Sequence, residues 1–126
     1  RYYYGYIAYK LEDYGIAEST FKEIADNDTY RLEISYYLLD ISFQAGKFER
    51  CIIVGEPLIE TVKRKEKSEI SKIIGESFFN LKRYSEAIPY LKGYTGKKGK
   101  WNNTDFYQLG FAYYKQNDFE NAIRNY

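Results

Sequence analysis

Histidine and methionine are absent from the 126 residues, which hold one cysteine, one tryptophan and two prolines. Without histidine, and with a single thiol, the usual zinc ligand sets and the Ser/His and Cys/His nucleophile pairs are excluded. One cysteine permits no internal disulfide and leaves the redox compartment open. An excess of one charge is lacking too. The 19 Lys and Arg against 18 Asp and Glu leave a net charge of +1, too little to draw the chain as a whole towards nucleic acid or an anionic membrane. No run approaches the roughly 18 apolar residues of a membrane helix, so direct membrane insertion is not expected. With no Met, the native start is expected to lie outside this sequence. What is plentiful is aromatic: 16 Tyr and 8 Phe bring the ring-bearing share to 20%, in a chain 44% hydrophobic and 29% charged, the balance of a folded protein.

The stretch "DFYQLGFAYYKQNDFENAI" recurs. Gly5, Leu39, Gly75 and Gly110 lie 34, 36 and 35 residues apart, and twelve positions after each stands a small residue: Ala17, Cys51, Ala87 and Ala122. Between anchor and small residue comes a ring, at Tyr14, Phe48, Tyr84 and Phe119. A fixed period of this length marks an array of supersecondary units. Leu38, Ile41 and Ala45, then Ile52, Gly55 and Ile59, are spaced as on amphipathic helices, and no alternating strand pattern competes. "QAGKF", "NLKRY" and "KQNDF" supply tight turns between the two helices of each copy, with Gly46 or Asn117 suited to a left-handed cap. The small residues let paired helices approach closely, and the ring after the turn is expected to fill the wedge between copies. Pro57 and Pro89 fall inside second helices, where slight kinks are expected. Cys51, at a small-residue position, reads as a buried structural thiol rather than a reactive one.

These residues resemble the tetratricopeptide repeat family. Its aromatic, Leu-Gly, Tyr, Ala and second aromatic are met by Phe106, Leu109, Gly110, Tyr113, Ala122 and Tyr126. The third copy keeps Ile74, Gly75, Phe78, Ala87 and Leu91. The first keeps Tyr4, Gly5, Ala17 and Phe21, with Ala8 where a ring is usual. The second departs furthest, with Leu39 for Gly, Ser42 for the ring and Gly55 for a bulky residue, and no copy has the closing Pro. The resemblance implies an all-α, right-handed superhelical solenoid of antiparallel helix pairs. One repeat domain covers residues 1–126, with repeats at about 1–30, 31–65, 66–101 and 102–126. The first and last are expected to be incomplete, and the chain a fragment of a longer one. Pentatricopeptide proteins share the period and read RNA, but their Met, closing Pro and basic charge are missing here.

In the resembling family, function lies on the concave face lined by first helices. The corresponding positions are Tyr2, Tyr6 and Tyr9; Tyr36, Asp40, Phe43 and Gln44; Lys72, Glu76, Phe79 and Asn80; and Tyr107, Phe111, Tyr114 and Lys115. Members that grip chaperone C-termini place Lys, Asn and Arg there, and only Lys72 matches, so such binding is not expected. Rings with hydroxyl and amide partners suit a segment of another protein. Individually, rings at helical spacing are more often packing. The carboxylates of "EDYGIAE" and "DND" read as solvated, and "GYTGKKGKW" lacks the spacing of a phosphate loop. With "VKRKEK" it forms a basic joint between repeats. Trp101 beside it could stack on a base, but a cap over the neighbouring repeat is the simpler reading. The expectation is a non-catalytic interaction scaffold or adaptor without cofactor or metal, its partner a protein or peptide and not a nucleic acid. The alternative is a structural spacer, or a module self-associating through exposed repeat ends. The style of the repeats resembles long repeat proteins of the bacterial cell envelope or periplasm.

Overall fold

A computed structural model describes residues 1–125. Of the residues that carry the family resemblance, Tyr126 lies outside the described residues.

Eight α-helices account for most of the described residues: α1 (Tyr2–Lys10), α2 (Tyr14–Glu23), α3 (Arg31–Gln44), α4 (Phe48–Ile59), α5 (Arg64–Asn80), α6 (Tyr84–Lys92), α7 (Asn103–Lys115) and α8 (Phe119–Asn125). The recurring turn has one geometry. Glu12, Gly46, Lys82 and Asn117 all take positive φ, between 60° and 75°. The amide of each donates three residues back, Glu12 to Tyr9, Gly46 to Phe43, Lys82 to Phe79 and Asn117 to Tyr114. In three copies the next amide donates five residues back, Asp13 to Ala8, Arg83 to Phe78 and Asp118 to Tyr113, at 2.8–2.9 Å. This pair of bonds closes a helix end by satisfying carbonyls that lack a partner within the helix. Gly46 and Asn117 thus cap as their residue types suggest. Glu12 and Lys82 take the same conformation without glycine's freedom, held there by the paired helices. Replacing Lys82 with Gly should relieve part of the roughly 1–2 kcal/mol left-handed penalty, offset by unfolded-state entropy. The expected net gain is about 0.5–1 kcal/mol, read as a higher urea midpoint at unchanged m-value.

The chain divides into two compact units, Arg1–Gly46 and Lys47–Tyr126, with the border inside the second copy of the repeat. In the first unit α1, α2 and α3 enclose Ala8, Ala17, Phe21, Ile34 and Ile41, with Tyr2, Tyr6, Tyr9, Tyr14, Tyr30 and Tyr37 packed round them. Gly5 is small for a reason: a Cβ there would lie 2.8 Å from the ring of Phe21.

In the second unit each helix from α4 to α8 packs on the next. Its core includes Cys51, Ile70, Ile74, Phe78, Ala87, Leu91, Leu109, Ala112 and Ala122. A Cβ on Gly75 would meet the backbone nitrogen of Leu91 at 2.9 Å, so α5 and α6 touch through that position. All four small residues after the anchors, Ala17, Cys51, Ala87 and Ala122, are buried. The rings after the turns differ. Tyr84 fills a wedge, edge-on to Phe79 at 5.4 Å and to Phe111 at 5.7 Å. Phe119 is 53% exposed and lies against Tyr114 at 5.7 Å, because among the described residues no further helix closes over α8. Helices α4 and α6 run through Pro57 and Pro89, both on exposed faces, where the carbonyl left without a donor is open to water.

Between α6 and α7 the chain makes a fixed loop. Thr95 is tied to Ser68 of α5 twice, hydroxyl to hydroxyl at 2.9 Å and by amide donation at 3.0 Å. The Trp101 indole donates to the Tyr94 carbonyl at 2.6 Å, and its ring meets Phe106 edge-on at 5.1 Å. Trp101 therefore caps this joint. Asn102 and Asp105 then start α7 by reciprocal bonds of 2.9 and 3.0 Å, a capping box.

Candidate functional site

First helices carry the expected contact residues: α1 and α3 hold Tyr2, Tyr6, Tyr9, Tyr36, Asp40, Phe43 and Gln44 in the first unit, and α5 and α7 hold the others in the second.

In the first unit Tyr2 stacks on Tyr30 with centroids 3.9 Å apart, while Tyr6 and Tyr9 lean on Tyr37 at 5.8 and 4.7 Å. Tyr37 also stacks on Phe21 at 5.4 Å, and Tyr36 stands edge-on to it at 5.8 Å. Rings in such offset and edge-to-face pairs each add stabilisation of about 0.5–1.5 kcal/mol beyond area burial. The Tyr9 hydroxyl donates to Asp40, which also accepts from Gln44 at 3.4 Å. Burial first, and then that bond to Asp40, push the Tyr9 phenol well above its ordinary range; burial does the same for Tyr2. Both are protonated donors at neutral pH. Phe43 is half-buried and Gln44 exposed. Much of this face is spent holding α1 to α3. Tyr37, the hub, escaped the list of contact residues because the family's groove positions fall on Tyr36. Its only sequence signal is that it sits four residues before Ile41, on the buried side of α3.

In the second unit α5 and α7 are joined by three cross-helix contacts. The Lys72 ammonium lies 3.8 Å from Asp105 and 4.6 Å above the Tyr94 ring. Gln108 donates to Glu76 at 2.8 Å, and Phe79 meets Phe111 at 5.8 Å. Asn80 is turned back onto its own helix, its amide donating to the Glu76 carbonyl at 2.7 Å. Lys72 thus faces a buried carboxylate of the neighbouring first helix. Asp105 and Gln108 were not among the expected site residues; both lie on the first turns of α7, facing α5.

Beyond these links the face opens. Tyr107 stacks on Phe111 at 5.9 Å, Tyr114 tilts against Phe111 at 6.3 Å, and the Lys115 ammonium stands 5.5 Å from the same ring. Tyr107 is 53% exposed and Tyr114 49%. Phe111 is the centre of a four-ring row, Phe79–Phe111–Tyr107–Tyr114, with a cation at its edge. Such a row offers apolar area with hydroxyl tips, suited to burying a side chain of a bound segment and hydrogen-bonding its backbone. Where the start of α7 meets the end of α8, a cavity of about 420 Å³ is lined by Asn103, Phe106, Tyr107, Arg124 and Asn125. Among the described residues no group of His, Cys, Asp and Glu could hold a metal ion, and no helix is long and apolar enough to cross a membrane.

The tetratricopeptide repeat family matches residues 106–126, the last helical pair. No curated protein matches the chain by sequence. Two solved structures, MamA AMB-1 in its P212121 and C2221 crystal forms, are similar in fold, with TM-scores of 0.79 and 0.78 at 15% identity. The likeness covers 98% of this chain, and 66% and 71% of those chains. The chain accordingly spans about two thirds of the MamA chains it resembles. The family match is confined to that last helical pair, and the likeness to the solved structures shows an all-α fold of antiparallel helix pairs.

Proposed function

We propose that the chain is a non-catalytic scaffold that holds an extended or helical segment of another protein on the ring row shared by α5 and α7. The observation that carries the reading is Phe111: it touches Phe79, Tyr84, Tyr107 and Tyr114, while Tyr107 and Tyr114 remain half-exposed beside it. A ring held from several sides is pre-organised, so a bound side chain does not have to order it. Lys115 at the edge favours a segment with a carboxylate next to its apolar anchor. The first-unit residues Tyr6, Tyr36, Asp40 and Gln44 form a second face of the same kind, more of it committed to intramolecular bonds.

Selection of peptides from a random display library, followed by calorimetry with the best binder, tests this. Phe111→Ala should weaken the selected peptide by about 1.5–3 kcal/mol, a truncation effect typical of an interface hot spot, and leave the helical circular dichroism signal unchanged. Lys115→Ala should weaken only peptides bearing a carboxylate. A library that yields no binder sensitive to Phe111→Ala would favour the spacer reading.

A further inference from the structure

The near-zero net charge conceals an uneven distribution. Residues 92–101 carry four lysines and no carboxylate, and residues 63–67 carry four cations beside Glu66 alone. Those eight of the chain's 19 cations leave 11 to face the other 17 carboxylates. The fold brings the two basic stretches together. Ser68 of α5 is bonded to Thr95 in the loop, and a Cβ on Gly93 would lie 2.5 Å from the hydroxyl of Ser71, so the start of α5 runs along the loop. Arg64 and Lys65 stand one turn before Ser68 on the same side of the helix. The loop itself folds into a tight turn: Gly99 donates to Gly96 at 3.2 Å and Lys100 to Lys97 at 3.1 Å, with Lys97 and Lys100 bridged. Gly96, at φ 95°, lies so close to Lys100 that a Cβ would be 2.3 Å from its carbonyl, and only glycine fits. Lys97, Lys98 and Lys100 are exposed, and among the described residues none of them, nor Arg64 or Lys65, pairs with a carboxylate.

We propose that this surface, the 93–101 loop with the first turn of α5, binds an acidic polypeptide segment. It goes beyond the ring row, from which it is chemically distinct. Three properties select this occupant. Unpaired cations on a loop pinned at Ser68 and Trp101 are held in place before binding, so an anionic partner loses little free energy to ordering them. Single-stranded nucleic acid is held best where an open ring beside the cations stacks on its bases, and Trp101 is tied to the Tyr94 carbonyl and covered edge-on by Phe106. An anionic membrane surface is best held by cations together with an apolar side chain that inserts, and neither stretch has a large exposed apolar residue.

Trp101 is the only tryptophan and lies at the base of the loop, so its fluorescence reports on the site. Titration of the intact chain with a short oligoglutamate peptide should give a saturable change in Trp101 emission, weakening roughly tenfold or more between about 0.1 M and about 1 M salt as the screening length shrinks. Lys97→Glu with Lys100→Glu should abolish it, with circular dichroism unchanged. Lys10→Glu with Lys22→Glu, an equal charge change elsewhere, should leave it in place. Three results would overturn the proposal: no titratable change at low salt, an affinity unaltered by Lys97→Glu with Lys100→Glu, or tighter binding to oligothymidylate or to phosphatidylserine vesicles than to oligoglutamate. The Phe111→Ala variant should bind oligoglutamate normally, which separates this surface from the ring row.

Discussion

Phe21→Ala is expected to cost the first unit about 3–5 kcal/mol, the range for emptying a buried phenylalanine site. Phe21 is fully buried, packs against Tyr2 at 6.1 Å and Tyr37 at 5.4 Å, and occupies the space in front of Gly5. A unit the size of Arg1–Gly46 buries too little surface to absorb such a loss. Amide hydrogen exchange across residues 1–46 should accelerate sharply, and preserved protection there would show that the tyrosines refill the cavity. The neighbouring glycine supplies an internal check. Gly5→Ala alone should destabilise, since its Cβ would sit 2.8 Å from the Phe21 ring. In the Phe21→Ala background the obstruction is gone, so the two changes should be strongly non-additive in a double-mutant cycle.

Gly75→Ala should cost about 1–3 kcal/mol, towards the upper end of the overpacking range. The atom its Cβ would meet is the backbone nitrogen of Leu91 at 2.9 Å, with the Leu91 side chain at 3.0 Å. A side chain can rotate away, but a helix backbone has to move as a body. Retreat of α6 would also stretch the 2.6 Å bond from Ser71 to the Tyr90 carbonyl. The Tyr90 hydroxyl also donates to Glu56 of α4 at 2.8 Å, and burial together with that bond pushes the phenol up to about 12. A urea titration followed by Trp101 fluorescence reads the loss, because the indole is bonded to Tyr94 just after α6. Gly15→Ala is the matched control. Nothing lies within 4 Å of its Cβ position, so in α2 it should stabilise by about 0.5–1 kcal/mol through helix propensity. An equal effect at both positions would mean that Gly75 is not a contact point.

Contacts set by local periodicity were legible before any coordinates. The spacing of Gly5, Gly75 and the four small residues marked where helices meet, because only a small side chain permits that approach at a fixed position in each copy. The left-handed turns were legible at Gly46 and Asn117, whose residue types favour that conformation. They were hidden at Glu12 and Lys82, where packing of the flanking helices overrides an unfavourable propensity. The site was legible as a set of positions and not as a set of relations. Tyr36 and Tyr37 are adjacent in sequence and one helical step apart, yet it is Tyr37 that ties four rings together. Lys72 looked available for a ligand until Asp105, 33 residues later, was found beside it.

By itself, the sequence determined the repeat, its helical hairpins, the small-residue contact points and the exclusion of the commonest metal and nucleophile chemistries, all of which follow from residue type and from spacings within one copy. Only the tertiary structure decided which rings are packing and which stay open, which charges are already paired, and that the two basic stretches 63–67 and 92–101 share one surface. Those outcomes depend on contacts between side chains a full repeat apart, and the geometry that brings them together arises only when the helices pack.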